Sequence, residues 1–380
     1  MIDPSYFDTP VDRRHTASAK WDRYRGTDIL PMWVADMDFR SPPAVMDALH
    51  KRVDHGIFGY SRPSEDLVEA ALAHFSARYG WTVDPKWLVW LPGLVTGINV
   101  ACRAVGEKGD AVLSHIPAYP PFLSAPGHQE RVRVTAPLFN GRHRWEIDFD
   151  RMEQAVTPRT RLLLLCNPHN PTGRVFTRNE LLNLASFCEK HDLVICSDEI
   201  HCDLVLESNR PHIPTATLGD DPARRIITLM APSKTYNIAG LGCSLAIIPD
   251  TALRKRFKTA MAGIVPDINL LAFTAARAAY RHGEPWRQAL LAYLRQNRDI
   301  VANTIERLPG LSMKPVEATY LAWIDTRQAN LENPAAFFEK AGVGFNNGAD
   351  FGSPGFIRLN FGCPRSTLEK GLSRMAGAMA

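Results

Sequence analysis

The stretch Leu162-Leu-Leu-Leu-Cys166-Asn167-Pro-His-Asn-Pro-Thr-Gly173 decides the fold. An unbroken apolar run fits a strand buried on both faces, as in a parallel sheet covered by helices. Asn-Pro and Pro-Thr-Gly are turn signals that end it. Two similar runs follow, Leu193 to Cys196 and Ile226 to Met230. Their spacing of about 30 residues suits successive strand–helix units. Leu88 to Leu91, Ala111 to Ser114 and Leu245 to Ile248 complete the set.

Helical patterns lie between these runs. Ser64 to Tyr79 carries Glu65 and Asp66 in its first turn and Leu67, Ala71 and Phe75 on one face, with Ser64 as the expected cap and Gly80 as the stop. Thr177-Arg-Asn-Glu180 has the form of a capping box, with Leu181, Leu184 and Cys188 on one side of the helix it opens. The expectation is an α/β fold with a mostly parallel sheet. Beyond it, a helix near Trp286 to Leu308 and strands near Tyr320 to Ile324 and Phe356 to Asn360 suggest a smaller α+β domain. The first 40 or so residues lack strand–helix units and are expected to pack on it. The expected division is a large domain over 45–285 and a small one from 1–44 and 286–380.

The chain has 380 residues, 45% hydrophobic and 22% charged, with a net charge of +4 spread along its length. That excludes a disordered or collagen-like chain and gives no nucleic-acid footprint. The basic run Arg254-Lys-Arg-Phe-Lys258 reads as a solvated helix face. Seven cysteines, with no Cys-x-x-Cys pair, read as buried thiols of a reducing compartment. The segment Met1 to Arg14 is not a signal peptide, and no uncharged stretch reaches the ~20 residues of a membrane span. The expectation is a cytoplasmic protein with no membrane or nucleic-acid partner and no metal.

Ligands of open parallel sheets bind beyond the carboxyl ends of the strands. Asn170, Asp198 and Lys234 stand just there, after three successive apolar runs. Each alone has a bland reading, as turn, helix cap or surface charge. Together they form a pattern.

These residues resemble the signature of the fold-type I pyridoxal-phosphate enzymes, the aspartate aminotransferase superfamily, and the intervals of 28 and 36 residues also match it. A narrower resemblance, to the MalY/PatB-type cystathionine β-lyase or cysteine C–S lyase branch, rests on five motifs. They are Pro31-Met-Trp-Val-Ala-Asp-Met-Asp-Phe39, Phe58-Gly-Tyr60, Asp198-Glu-Ile-His201, Ala231-Pro-Ser-Lys-Thr-Tyr-Asn-Ile-Ala-Gly-Leu241 and Arg358-Leu-Asn-Phe-Gly-Cys-Pro364.

The resemblance implies a seven-stranded sheet of the aspartate aminotransferase type, pyridoxal 5'-phosphate as cofactor, and a role for each matching residue. Lys234 would supply the amine that condenses with the cofactor aldehyde and later takes the Cα proton. Asp198 would keep the pyridine nitrogen protonated, Asn170 would donate to the ring 3-oxygen, and Tyr119 would stack on the ring. Val95, Thr96 and Ser233 would bind the phosphate, helped by Tyr60 from a neighbouring subunit, so that a homodimer shares its sites. Arg358 would grip the substrate carboxylate, with Tyr60 and Tyr119 lining the substrate.

Three positions depart from the general aminotransferase pattern. His201 stands for the usual Tyr, Gly242 for a phosphate-binding Arg, and Ala231 for a frequent Ser. His201 could still reach the 3-oxygen, and an imidazole there could titrate near neutral pH. The implied activity is β-elimination from cystathionine or an L-cysteine S-conjugate, giving thiol, pyruvate and ammonia. An aminotransferase, or a member with an added regulatory role, is the alternative.

Overall fold

The computed structural model describes residues 2–3 and 5–380, so Met1, the first residue of the N-terminal segment, lies outside it. Seven strands form the main sheet: β1 (Leu88–Leu91), β2 (Ala111–Ile116), β3 (Val132–Pro137), β4 (Thr160–Cys166), β5 (Val194–Asp198), β6 (Ile226–Met230) and β7 (Ser244–Ile247). Their spatial order is β1-β7-β6-β5-β4-β2-β3. Only β7 runs against its neighbours. The sheet is the one expected, with β3 added. That strand escapes the apolar pattern because it is an edge, and Val132 and Arg133 face solvent.

The apolar runs are continuous because both faces are covered. On one face Leu163, Leu165, Ile195, Leu245 and Ile247 meet α1 (Glu65–Tyr79), α2 (Arg178–Lys190) and α3 (Leu270–His282). On the other, Leu162, Leu164, Cys196, Ile227, Leu229 and Ala246 meet helices Leu94–Ala104, Pro120–His128 and Thr251–Met261. In the last of these, Phe257 is buried while Lys255, Arg256 and Lys258 face solvent. Thr177 and Glu180 make both halves of the capping box. Ser64 precedes its helix but makes no cap bond, because its hydroxyl donates to the Asp66 carboxylate at 2.5 Å.

A second sheet, wholly antiparallel, contains β8 (Ser312–Met313), β9 (Leu321–Asp325), β10 (Asn346–Asn347) and β11 (Phe356–Asn360) in the order β8-β9-β11-β10. It shares a core with helices Glu284–Ile305 and Arg365–Met379. Phe7, Met32, Met37 and Phe39 of the N-terminal segment enter this core, and Leu30–Pro31 pairs in parallel with Val343–Gly344.

The two sheets meet at the loop after β4. The Gly173 carbonyl accepts from the Glu317 and Ala318 N–H groups at 3.0 and 2.9 Å. Gly173 has a φ of 72°, and a Cβ there would lie 2.8 Å from Val316 Cγ1, so only glycine fits. Arg174, buried beside it, pairs with both Glu180 at 2.9 Å and Glu317 at 3.2 Å. Among the described residues no helix is long and apolar enough to cross a membrane.

Candidate active site

Register brings the polar groups together. β5 runs two residues past the apolar run, so Asp198 is its last residue, and it sits between Cys166 of β4 and Leu229 of β6. Asn170 leaves the end of β4 and Lys234 leaves the end of β6. Neighbouring strands are about 4.8 Å apart, so the three side chains crowd one edge. Strand order in the sheet reverses between the parallel neighbours β2 and β4, the usual place for a ligand crevice. Tyr119 leaves the end of β2 at the other lip of that crevice.

Arg358, from β11 of the second sheet, joins the cluster. It is buried, and it donates to Asn170 Oδ1 at 2.8 Å, to the Trp33 carbonyl at 3.0 Å and to Asn346 Oδ1 at 2.6 Å. Its guanidinium lies 4.8 Å from the Phe351 ring centroid. Because the Asn170 oxygen is taken by Arg358, the amide nitrogen is the group left to donate elsewhere. The Lys234 ε-amino group donates to the Ala35 carbonyl at 2.6 Å, which also accepts from the Tyr320 hydroxyl at 2.9 Å.

Burial dominates the electrostatics. It pulls Lys234 down to about 8; Arg358 adds to the fall, whereas Asp36 and Asp198 oppose it. It pushes Asp198 up to about 7, against the pull of the Ile200 N–H and Lys234. It lowers Arg358 to about 10, still cationic at neutral pH. Burial, with Lys234 and Arg358, holds His201 down to about 3. The imidazole is therefore neutral well below pH 7, which corrects the expectation of titration near neutrality. Burial raises the Tyr119 phenol, with Arg358 opposing, so it stays protonated.

These side chains fit a pyridoxal phosphate. Among the described residues Asp198 accepts one hydrogen bond, from Ile200 N–H at 3.1 Å, and a buried carboxylate so sparsely partnered suits a protonated ring nitrogen. The buried Arg358 Nε and His201 Nδ1 have no partner. The first-turn N–H groups of Val95 and Thr96, at the start of helix Leu94–Ala104, have no intrahelical acceptor and no side-chain cap, which leaves them free to donate to an anion. That helix start is tied to the lysine loop. The Gly242 backbone, at φ 71°, packs so closely on Pro92 that a Cβ would lie 2.7 Å from its carbonyl oxygen. An arginine cannot occupy this position, which accounts for the departure seen in the sequence. Ser233 is buried next to Lys234, and Ala231 is buried at the strand end.

One expected residue is not brought to the cluster within a single chain. Tyr60 is fully exposed, alongside exposed Ile57 and Phe58. Other participants were missed. Trp33, Ala35, Tyr320, Asn346 and Asn360 hold the site through backbone carbonyls or supporting side chains. Carbonyls carry no residue signature, and only the quoted motif from Pro31 to Phe39 marked the segment. Among the described residues no group of three His, Cys, Asp or Glu side chains is arranged to hold a metal ion.

The depressed Lys234 has a direct readout. In the full chain stripped of any cofactor, competitive acetylation followed by peptide mass spectrometry should give Lys234 a reactivity midpoint near 8. Exposed lysines should become reactive only toward about 10.4. A Lys234 midpoint in that ordinary range would contradict the burial described here.

Comparison with known proteins agrees with the geometry. Residues 27–375 match the family model for aminotransferase class I and II. The chain is 39% identical to cystathionine beta-lyase PatB of Bacillus subtilis (strain 168), over 98% of this chain and 100% of that protein. The crystal structure of OvoB has a TM-score of 0.97 at 52% identity, over 98% of this chain and 99% of that one. The PLP-bound C–S lyase from Staphylococcus hominis gives a TM-score of 0.92 at 37% identity, over 98% of both chains. With its strand-end lysine, aspartate and asparagine and a family match over nearly its whole length, the chain belongs to the aminotransferase class I and II family.

Proposed function

We propose that the protein is a pyridoxal-phosphate-dependent carbon–sulfur β-lyase that cleaves cystathionine or another L-cysteine S-conjugate. The observation that carries this reading is the meeting of Lys234, Asp198, Asn170 and Arg358 at one sheet edge in a chain whose full-length relatives include cystathionine β-lyase and C–S lyase.

Lys234 would hold the cofactor covalently, Asp198 its ring nitrogen, Asn170 and His201 its 3-oxygen, Tyr119 its ring face, and Val95, Thr96 and Ser233 its phosphate. When bound, the cofactor supplies an aldehyde for the substrate amine and a protonated ring that accepts electrons released at Cα. Arg358 binds the substrate carboxylate through its planar fork and fixes the orientation of the Cα–H bond. The Lys234 amine, depressed to about 8, is partly unprotonated near neutral pH and takes the Cα proton. Loss of that proton allows the Cβ–S bond to break, with its electron pair leaving on sulfur. A thiol of pKa ~8.5 makes a good leaving group. With one water, the remaining carbon skeleton becomes pyruvate and ammonia, so substrate plus water balances thiol, pyruvate and ammonia.

The exposed Ile57, Phe58 and Tyr60 support a homodimer in which Tyr60 completes the neighbouring site. The seven free, buried cysteines support action in the reducing cytoplasm.

Two measurements test the proposal. Incubated with cystathionine and no 2-oxo acid, the enzyme should form many equivalents of pyruvate and ammonia per site. Conversion of the cofactor to its amine form, one equivalent per site and relieved only by a 2-oxo acid, would make the protein an aminotransferase. For the shared site, Tyr60→Phe and Lys234→Ala subunits, each inactive alone, should regain one working site per mixed dimer. Mixed dimers as inactive as their parents would rule out the sharing.

A further inference from the structure

The segment Trp33–Phe39 lies across the site as a strap, and its inner side is bonded residue by residue. The Trp33 carbonyl accepts from Arg358, Ala35 from Lys234 and Tyr320, and Val34 and Asp36 from the Asn360 amide. Asn237, three residues after Lys234, accepts from Met37 N–H at 3.0 Å and donates to the Met37 and Phe39 carbonyls at 2.9 and 2.7 Å.

The strap carries two carboxylates, and both are clamped by the N-terminal arm. Arg13 holds Asp36 with two N–H···O bonds, at 3.1 and 2.7 Å, and reaches Asp38 at 2.7 Å. Lys20 is buried and lies 2.7 Å from Asp38 and 3.6 Å from Asp36; it also donates to the Asp36 carbonyl at 3.3 Å. Trp21 Nε1–H donates to Asp38 at 2.8 Å. Two cations and two anions balance, yet the anions are on the strap and the cations on the arm. Lys20 and Asp38 are buried while Arg13 and Asp36 are part-exposed; such a cluster gains little stability over an apolar one, and its best use is to fix a geometry.

The geometry it fixes is at Lys234. Asp36 directly follows Ala35, the residue on which the ε-amino group docks. Among the charges that face Lys234, the Asp36 carboxylate acts more strongly than Arg358 of β11 or Asp198 of β5. The neutral His201 ring, after β5, the Tyr320 hydroxyl, before β9, and the protonated Tyr119 phenol, after β2, also belong to the cluster. Arg13 and Lys20 limit where the Asp36 carboxylate can stand, and with it the adjacent Ala35 carbonyl that accepts from Lys234.

We propose that Asp36, clamped by Arg13 and Lys20, is a positioning residue for Lys234, keeping its ε-amino group docked on the strap and favouring the ammonium form it takes on accepting the Cα proton. In that step the Cα–H bond breaks and an N–H bond forms at Lys234; Asp36 itself exchanges no proton. This role rests on the β-lyase reading of Lys234, but its test does not require turnover.

The test is competitive acetylation of Lys234 in the full chain stripped of cofactor, across a pH series, with thermal unfolding measured in parallel. Asp36→Asn should lower the Lys234 midpoint by about half a unit or more, because an anion has been removed. Asp36→Glu should restore most of it. Arg13→Met loosens the clamp but keeps the carboxylate, so the midpoint should stay or rise while the unfolding temperature falls. An unmoved midpoint in folded Asp36→Asn, or a fall of equal size in Arg13→Met, would reduce the cluster to a structural clamp and overturn the proposal. If Asp36→Asn does not fold, Arg13→Met and Asp36→Glu decide: midpoints within about two tenths of a unit of wild type, or above it, support the role, and a fall of about half a unit or more in either overturns it. A shift found in a chain that binds no pyridoxal phosphate would sink the lyase reading instead.

Discussion

The hydrogen-bonded register of β4, β5 and β6 is the constraint on which the site depends. Cys166 stands beside Asp198, and Asp198 beside Leu229, so the chain has no freedom in where its next residues emerge. Both faces of these strands are buried under helices and lined mainly by apolar side chains, where an unpaired charge would be costly. The carboxyl edge is the place left for a carboxylate, an amide and an amine. Their chemistry follows from that confinement. Lys234 is driven toward its neutral form and Asp198 toward its protonated form by the same loss of water. A cofactor with a protonated ring nitrogen and an anionic phosphate restores the charge balance that burial disturbs.

The second sheet and the N-terminal arm close this edge from the other side. Arg358 reaches across from β11 to Asn170, so the group expected to bind the substrate carboxylate is held by the group expected to bind the cofactor. The arm adds the strap and its paired charges. The groups proposed to grip substrate, to grip cofactor and to accept the proton thus leave different strands, and a few short bonds hold them together. Asn170 and the Ala35 carbonyl are the points at which they meet.

What could be read from the sequence was what burial writes into it. Strands covered on both faces appear as apolar runs, and β6 was bounded to the residue. β3 was not seen, because an edge strand with Arg133 exposed has no such run. Asp198, Asn170 and Lys234 were legible because each follows or ends a run. The strap carbonyls were illegible, since a backbone oxygen acts the same whatever its side chain. Ser64 has the right type for a cap, but a closer carboxylate takes its hydroxyl. Residue type alone suggests a His201 that titrates near neutrality; the depth of its pocket and two nearby cations, neither visible in a linear sequence, keep it neutral.

The central claim is that the lysine at the end of β6 is the covalent anchor of the cofactor. It is tested most directly by reducing the purified, cofactor-loaded protein with borohydride, digesting it and mapping the pyridoxyl group by mass spectrometry. One modified peptide is expected, carrying the group on Lys234. Modification of any other lysine, with Lys234 free, would contradict it.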